Sequence, residues 1–126
     1  MLVKTSELSG HALDYAVAKC EESHDGRLTI IRHEDIIGHP VERETEKYSY
    51  TYEWWSPSRI WSQGGLIIDR EYISTNSSVD SPNWIAECNT GDFHNRQHGP
   101  TLLVAAMRCY VASRLGDTVD IPDELI

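Results

Sequence analysis

The clearest pattern in the chain runs from Pro100 to Leu115. Leu103, Ala106, Met107, Tyr110 and Val111 recur at helical spacing, and Leu102, Ala105 and Cys109 widen their stripe. So broad an apolar surface predicts a helix packed on more than one side. Gly99 reads as its cap, Pro100 takes the first position, where a missing N–H costs nothing, and Gly116 falls where a left-handed residue ends a helix. A second helix is predicted from an Ser9 N-cap to Glu22, with Leu13, Ala16, Val17 and Cys20 on one modest apolar face.

Between the helices the pattern is that of short strands. Leu2–Thr5, Leu28–Ile31, Tyr48–Trp55, Leu66–Ile68 and Trp84–Cys88 are compact apolar, β-branched or aromatic runs. Asp25-Gly26 is a turn signal. Ser56-Pro57-Ser58 predicts a short helical turn carrying Ile60 and Trp61, ended by Gly64-Gly65. Three polar stretches read as loops: Arg32–Lys47, Ser74–Pro82 and Asn89–Gly99. Asp117–Glu124, acidic and broken by Pro122, reads as an extended tail. With no repeat or linker, residues 1–126 predict a single small α+β domain. Its expected form is a few-stranded, mostly antiparallel sheet packed with an N-terminal and a long C-terminal helix.

The apolar and charged fractions, 40% and 25%, are those of a globular protein long enough for a real core. A net charge of −9 argues against bulk nucleic acid as a partner, because phosphate neutralisation needs clustered Lys and Arg. A small anionic ligand, which needs only one local pocket of donors, remains compatible with that charge. The three cysteines, Cys20, Cys88 and Cys109, are odd in number, widely spaced and without a C-x-x-C pair. They make neither a disulfide framework nor a zinc site, and suit a reducing cytosol. Met1-Leu2-Val3-Lys4 lacks a signal-peptide core and no apolar run reaches transmembrane length, so a cytoplasmic protein with no membrane partner is expected.

Candidate chemistry is sparse. Trp61-Ser62-Gln63-Gly64-Gly65 combines a stacking face with glycines that let backbone amides approach a ligand. The same segment also reads as a plain turn, since it lacks the further glycines and lysine of a phosphate loop. The helix start at Gly99-Pro100-Thr101 offers free amides, the positive dipole end and a hydroxyl, as every helix start does in part. Arg70, between Asp69 and Glu71, suits either a phosphate or a solvated ion pair, and Arg108 reads as a partly buried structural arginine. His94 and His98 are four apart but fall in a predicted loop without a third ligand, and His33-Glu34-Asp35 is half a ligand set. No metal and no cofactor is expected. There is no G-x-S-x-G elbow and no cysteine with a neighbouring histidine, so nothing promotes an enzyme.

With its segments laid out, the chain resembles the small lambdoid-phage accessory family named for the NinX protein. The resemblance lies in Lys4-Thr5-Ser6-Glu7-Leu8 with Ala12–Lys19, then Ser56-Pro57-Ser58 with Trp61–Gly65 and Ile67–Glu71, then Gly99-Pro100-Thr101 with Ala105–Ser113. The blocks occur in family order over almost the whole chain. Arg32–Tyr52 carries little of the likeness, and Leu66 stands where a proline is expected. The resemblance implies a phage or prophage origin and an accessory, non-structural role in the host cytoplasm. Some small phage accessory proteins act as sponges that sequester an immune nucleotide signal without cleaving it. By that analogy the leading expectation is a non-catalytic, anti-defence binder of a small anionic nucleotide-like ligand. Trp61 and Trp84 would stack, Gly64, Gly65 and Thr101 would donate amides, Arg70 would pair charge, and Gln63, Gly99 and Pro100 would complete the site. A homo-oligomer is expected, since subunit interfaces make deep pockets from small domains. The alternative is an acidic protein–protein effector whose acidic surface, the Asp117–Glu124 tail included, docks on and inhibits a host nucleic-acid-binding or defence protein. A nucleotide-processing enzyme is the third reading.

Overall fold

A computed structural model describes residues 1–24, 28–29, 40–46, 49–79, 83–90 and 93–126. Among them three α-helices and eight strands form an α+β domain with three small antiparallel sheets. The strands are β1 (Leu2–Lys4), β2 (Leu28–Thr29), β3 (Pro40–Glu46), β4 (Ser49–Trp54), β5 (Ser74–Ser77), β6 (Trp84–Thr90), β7 (Phe93–Gly99) and β8 (Thr118–Asp120). The helices are α1 (Gly10–His24), α2 (Trp61–Arg70) and α3 (Leu102–Leu115). Strand β1 pairs with β8, β2-β3-β4 form one sheet, and β5-β6-β7 form another.

Helix α3 is the centre of the molecule. Leu103 through Met107 and Cys109 through Ala112 are all buried. Sheet β5-β6-β7 lies against it, with α1 and α2 also in contact. The broad apolar stripe therefore meets packing on several sides, as its width predicts. Ala105 and Ala106, both fully buried, keep the helix surface low enough for its neighbours to come close. Leu13, Ala16, Val17 and Cys20 of α1 join the same core, together with Trp55, Ile67, Ala86 and Ile121.

Several local expectations are corrected. Pro40–Glu46 is strand β3, paired with β4, although its charged sequence reads as loop. Cross-strand pairing with the aromatic-rich β4 outweighs its own weak β-propensity. The rest of the predicted Arg32–Lys47 loop, residues 32–39 and 47, lies outside the described residues, as do Ile30, Ile31, Tyr48 and the Asp25-Gly26 turn. Gly64 and Gly65 do not end a helical turn. They lie inside α2, which continues through Leu66-Ile67-Ile68, so that run is helix rather than strand. Its exposure follows the helical period, with Gln63, Gly64 and Ile67 buried and Leu66 57% exposed. Ser74–Ser77 is strand β5 and not loop, while residues 80–82 of that predicted loop lie outside the described set.

Phe93–Gly99, also read as loop, is the seven-residue strand β7. The alternation was hidden because the inward positions are Asn95, Gln97 and Gly99, while His94, Arg96 and His98 are exposed. Among the inner-face positions whose burial is described, none carries a large apolar side chain. Gly99 ends this strand and is not the helix cap: Thr101 is, with its Oγ1 accepting from Val104 N at 3.1 Å. A Cβ at Gly99 would lie 2.7 Å from Ala105 N, so only glycine lets the first turn of α3 fold back so closely on β7. The predicted acidic tail is folded too, as β8 followed by a 3-10 turn at Asp123–Leu125. Val3 faces Val119 in the β1–β8 pair, and Thr5 N donates to Asp117 O at 2.8 Å.

Arg108 is a brace, as its position suggests. Its Nε donates to Leu8 O and its Nη1 to His98 O, both at 2.7 Å, joining the entry to α1 with β7. Burial lowers its pKa.

The helix glycines separate close packing from propensity. A Cβ on Gly64 would sit 2.3 Å from Pro57 O and 2.7 Å from Leu103 Cδ2, whereas one on Gly65 would meet only Trp61 Cε3 at 3.7 Å. Gly64→Ala is expected to cost about 1–3 kcal/mol through overpacking. Gly65→Ala is expected to be neutral or to gain up to about 1 kcal/mol from helix propensity. Urea unfolding of the two variants reads the difference.

Candidate functional site

The segment between β4 and α2 is built on one buried carboxylate. Asp14 of α1 accepts from Ser58 N at 2.9 Å and Ser56 Oγ at 3.1 Å, while its carbonyl accepts from Trp55 Nε1 at 2.8 Å. Burial raises the Asp14 pKa against the opposing pull of those hydrogen bonds. Ser56 O then accepts from Arg59 N and Ile60 N, and Ser56 N donates to Gln63 Oε1 at 2.7 Å. The turn is thereby fixed to α1 on one side and to the first turn of α2 on the other.

This arrangement brings the start of α2 beside the start of α3. Between them lies a solvent-open cavity of about 220 Å³ lined by Ser58, Arg59, Trp61, Thr101, Leu102 and Leu103. Trp61 is 59% exposed, unusually open for an indole, and Arg59 is exposed beside it. Arg59 Nε donates to Ser56 Oγ at 2.9 Å, which holds the guanidinium near the cavity wall. In the first turn of α3, the N–H groups of Leu102 and Leu103 have no carbonyl four residues back to bond within the helix. Among the described residues, the buried Oγ of Ser58 has no hydrogen-bond partner.

Of the residues that sequence reading grouped into a site, the fold brings Trp61 and Thr101 together on this cavity. The others stand elsewhere. Gln63 is 2% exposed and occupied in bonding Ser56 N. Gly64 N donates to Ile60 O at 3.0 Å, and Gly65 lies in the helix interior, so their amides belong to α2 itself. Gly99 and Pro100 precede the cap, with Gly99 buried against α3. Trp84 opens β6 opposite Gly99 and packs half-buried against the core. Ser58, Arg59, Leu102 and Leu103 were missed as site residues. The signal available for them was adjacency: Ser58 and Arg59 follow the Ser-Pro turn, and Leu102-Leu103 follow the Thr101 cap.

Arg70 belongs to an ionic cluster where three helices meet. It donates from Nη1 to Glu21 Oε2 at 3.1 Å, from Nε to Glu71 Oε2 at 2.9 Å and from Nη2 to the Tyr110 hydroxyl at 3.1 Å, with a further contact from Nη2 to Glu21 Oε1. Tyr110 in turn donates to Glu21 Oε1 at 3.0 Å, and Arg114 pairs with Glu71. Both guanidinium groups lie over the Tyr110 ring, 5.8 and 5.7 Å from its centre. Burial lifts the Tyr110 pKa, helped by the Glu21 charge. His94, exposed on β7, shares a hydrogen bond with Asn89 Oδ1 at 2.7 Å. Among the described residues no group of three or more His, Cys, Asp or Glu side chains is arranged to hold a metal. No helix there is long and apolar enough to cross a membrane.

Fold and cavity together define a small α+β domain with an open, part-apolar recess between two helix starts. The chain belongs to the phage family described as Bacteriophage P22, NinX, whose model matches residues 4–114. That span takes in the cavity, the ionic cluster and all of α1, α2 and nearly all of α3. No curated protein matches the sequence.

The ionic cluster gives a signed pH dependence. Burial raises the Glu71 pKa, but hydrogen bonds from Arg114 and Arg70 outweigh it, and the carboxyl titrates below its ordinary 4.5. The stability it contributes is therefore full above pH 4.5 and is lost as pH falls through its lower folded-state pKa. Glu71→Gln is expected to cost about 1.5–3 kcal/mol near neutrality. It should also flatten the acid limb of a pH series of urea-unfolding curves.

Proposed function

We propose that this phage protein is a non-catalytic accessory factor that binds and sequesters a small anionic, nucleotide-like ligand, with an anti-defence role in the host. The observation that carries the reading is the meeting of Trp61, Arg59 and the first turn of α3 on one open cavity. An exposed indole offers a stacking face to a base. The Leu102 and Leu103 amides and the dipole of α3 suit an anionic group, and Arg59 supplies the opposing charge. Arg59 thus takes the charge-pairing role that sequence reading gave to Arg70, which is committed to Glu21 and Glu71.

A cavity of about 220 Å³ is smaller than the range of about 300–1,000 Å³ typical of sites that enclose a whole small molecule. One chain then holds part of a nucleotide, and a second copy closing over the recess is included in the proposal. The competing picture of an acidic effector drew on an extended acidic segment at Asp117–Glu124. Thr118–Asp120 is instead a paired strand, and what supports that second reading is the net charge of −9 with Asp117, Asp120 and Asp123 exposed at this end of the chain.

Calorimetry against cyclic mononucleotides, cyclic dinucleotides and ADP-ribose, with inorganic phosphate as a control, tests the reading. At least one nucleotide is expected to bind and to be recovered intact. Trp61→Ala and Arg59→Ala should each weaken it at least about tenfold, roughly 1.4 kcal/mol, while Arg70→Lys should leave affinity unchanged. Binding that ignores Trp61 and Arg59, or no binding by any of these compounds, refutes it; turnover of the ligand refutes the non-catalytic part.

A further inference from the structure

Sequence spacing separates Cys88 from Cys109, but the fold does not. Cys88 lies on β6 facing α3, Cys109 lies on the opposing face of α3, and their Sγ atoms are 3.0 Å apart. Both are buried, at 3% and 0% exposure. Backbone carbonyls hold the pair in place: Cys109 O lies 3.4 Å from Cys88 Sγ, and Asn95 O of β7 lies 3.3 Å from Cys109 Sγ. A disulfide needs its sulfurs at about 2.05 Å, so closure asks for about 1 Å of movement between two side chains already face to face.

We propose that Cys88 and Cys109 are a redox-reactive pair that closes to a reversible intramolecular disulfide when the protein meets a peroxide. The Cys88 sulfur attacks one oxygen of hydrogen peroxide and the O–O bond breaks. The thiol proton leaves with the departing hydroxide as water, and Cys88 becomes a sulfenic acid. The Cys109 sulfur then attacks the Cys88 sulfur; the S–S bond forms, the S–O bond breaks, and hydroxide takes the Cys109 proton to leave as a second water. Two thiols lose two electrons and two protons, and one peroxide is reduced to two waters.

The order of attack follows from the local hydrogen bonding. The hydrogen bond between the two sulfurs lowers the Cys88 pKa, with burial and the Glu71 charge opposing and Ser113 and Arg114 assisting. The same bond raises that of Cys109, so Cys88 is the sulfur that reaches the thiolate first. Cys20 provides an internal comparison: it lies on α1, and burial pushes its thiol up to about 12. The closed bond would cross-link β6 to α3 and fasten the sheet to the central helix. The inference does not depend on what the cavity binds.

The test is peroxide treatment of the full chain, followed by non-reducing peptide mapping, intact mass and thermal melting. The expected product carries a Cys88–Cys109 peptide, is lighter by two hydrogens, melts higher than the reduced form, and reverts with dithiothreitol. Cys20→Ser should behave as wild type, whereas Cys88→Ser and Cys109→Ser should lose the mass change. If those two variants fail to fold, the wild-type map decides alone. Only sulfinic or sulfonic products, a cross-link through Cys20, or thiols unchanged after prolonged exposure would each overturn the proposal.

Discussion

Nearly everything in this domain depends on the burial of one helix around most of its circumference. The apolar and small side chains of α3 leave it little solvent face beyond Arg108 along its middle turns, so it is stable only while the surrounding elements cover it. Sheet β5-β6-β7 covers one side, α1 another, and α2 reaches it near Leu103 through the glycine contact. Each covering element is short, and several are weak formers by local propensity. Their order comes from the helix they cover, and the helix owes its order to them. Such mutual dependence favours cooperative folding, since the buried apolar residues of these elements form one cluster.

The legibility of the sequence follows from that arrangement. α1, α3, β4 and β6 announced themselves because their own residues carry an apolar period. Strand β7 did not, because the more buried of its described positions are Asn95, Gln97 and Gly99, packed where α3 presents the small Ala105. Helix α2 was misread for the opposite reason. Gly64-Gly65 is a breaker by propensity, costing about 1 kcal/mol per residue, yet here glycine is what permits contact with Pro57 and Leu103. In both places tertiary approach distance, which no local pattern encodes, decided the outcome. The site was partly visible for a related reason. Trp61 and Thr101 stood out as chemistry, but that they share a wall could be known only from the path of the chain. Beyond the neighbouring Glu71, the partners that bury Arg70, Glu21 and Tyr110, are 49 and 40 residues away and so were not visible locally.

The electrostatic design separates two jobs. Where α1, α2 and α3 converge, charges are matched: Glu21 and Glu71 against Arg70 and Arg114, with the Tyr110 hydroxyl completing the bonding and its ring lying beneath both guanidinium groups. At the starts of α2 and α3, by contrast, donors outnumber acceptors. The cavity there is lined by an arginine, two helix starts and a serine, with no carboxylate among the described residues of its wall. In a chain of net charge −9, a recess whose described lining carries an arginine and no acid differs from the surface average, and that difference comes from the fold rather than from composition.

The Arg108 brace has a consequence for how this sequence is free to drift. Its guanidinium grips the carbonyl oxygens of Leu8 and His98, groups that every amino acid supplies alike. A surface position such as 98 can therefore change identity without loosening the brace. Residue 108 has no such freedom, because an ammonium lacks the planar fork that reaches two acceptors in fixed directions. The brace is written at one end only, so covariation between its partners will not reveal it. Its signature among relatives would be a solitary arginine, retained beside neighbours that wander.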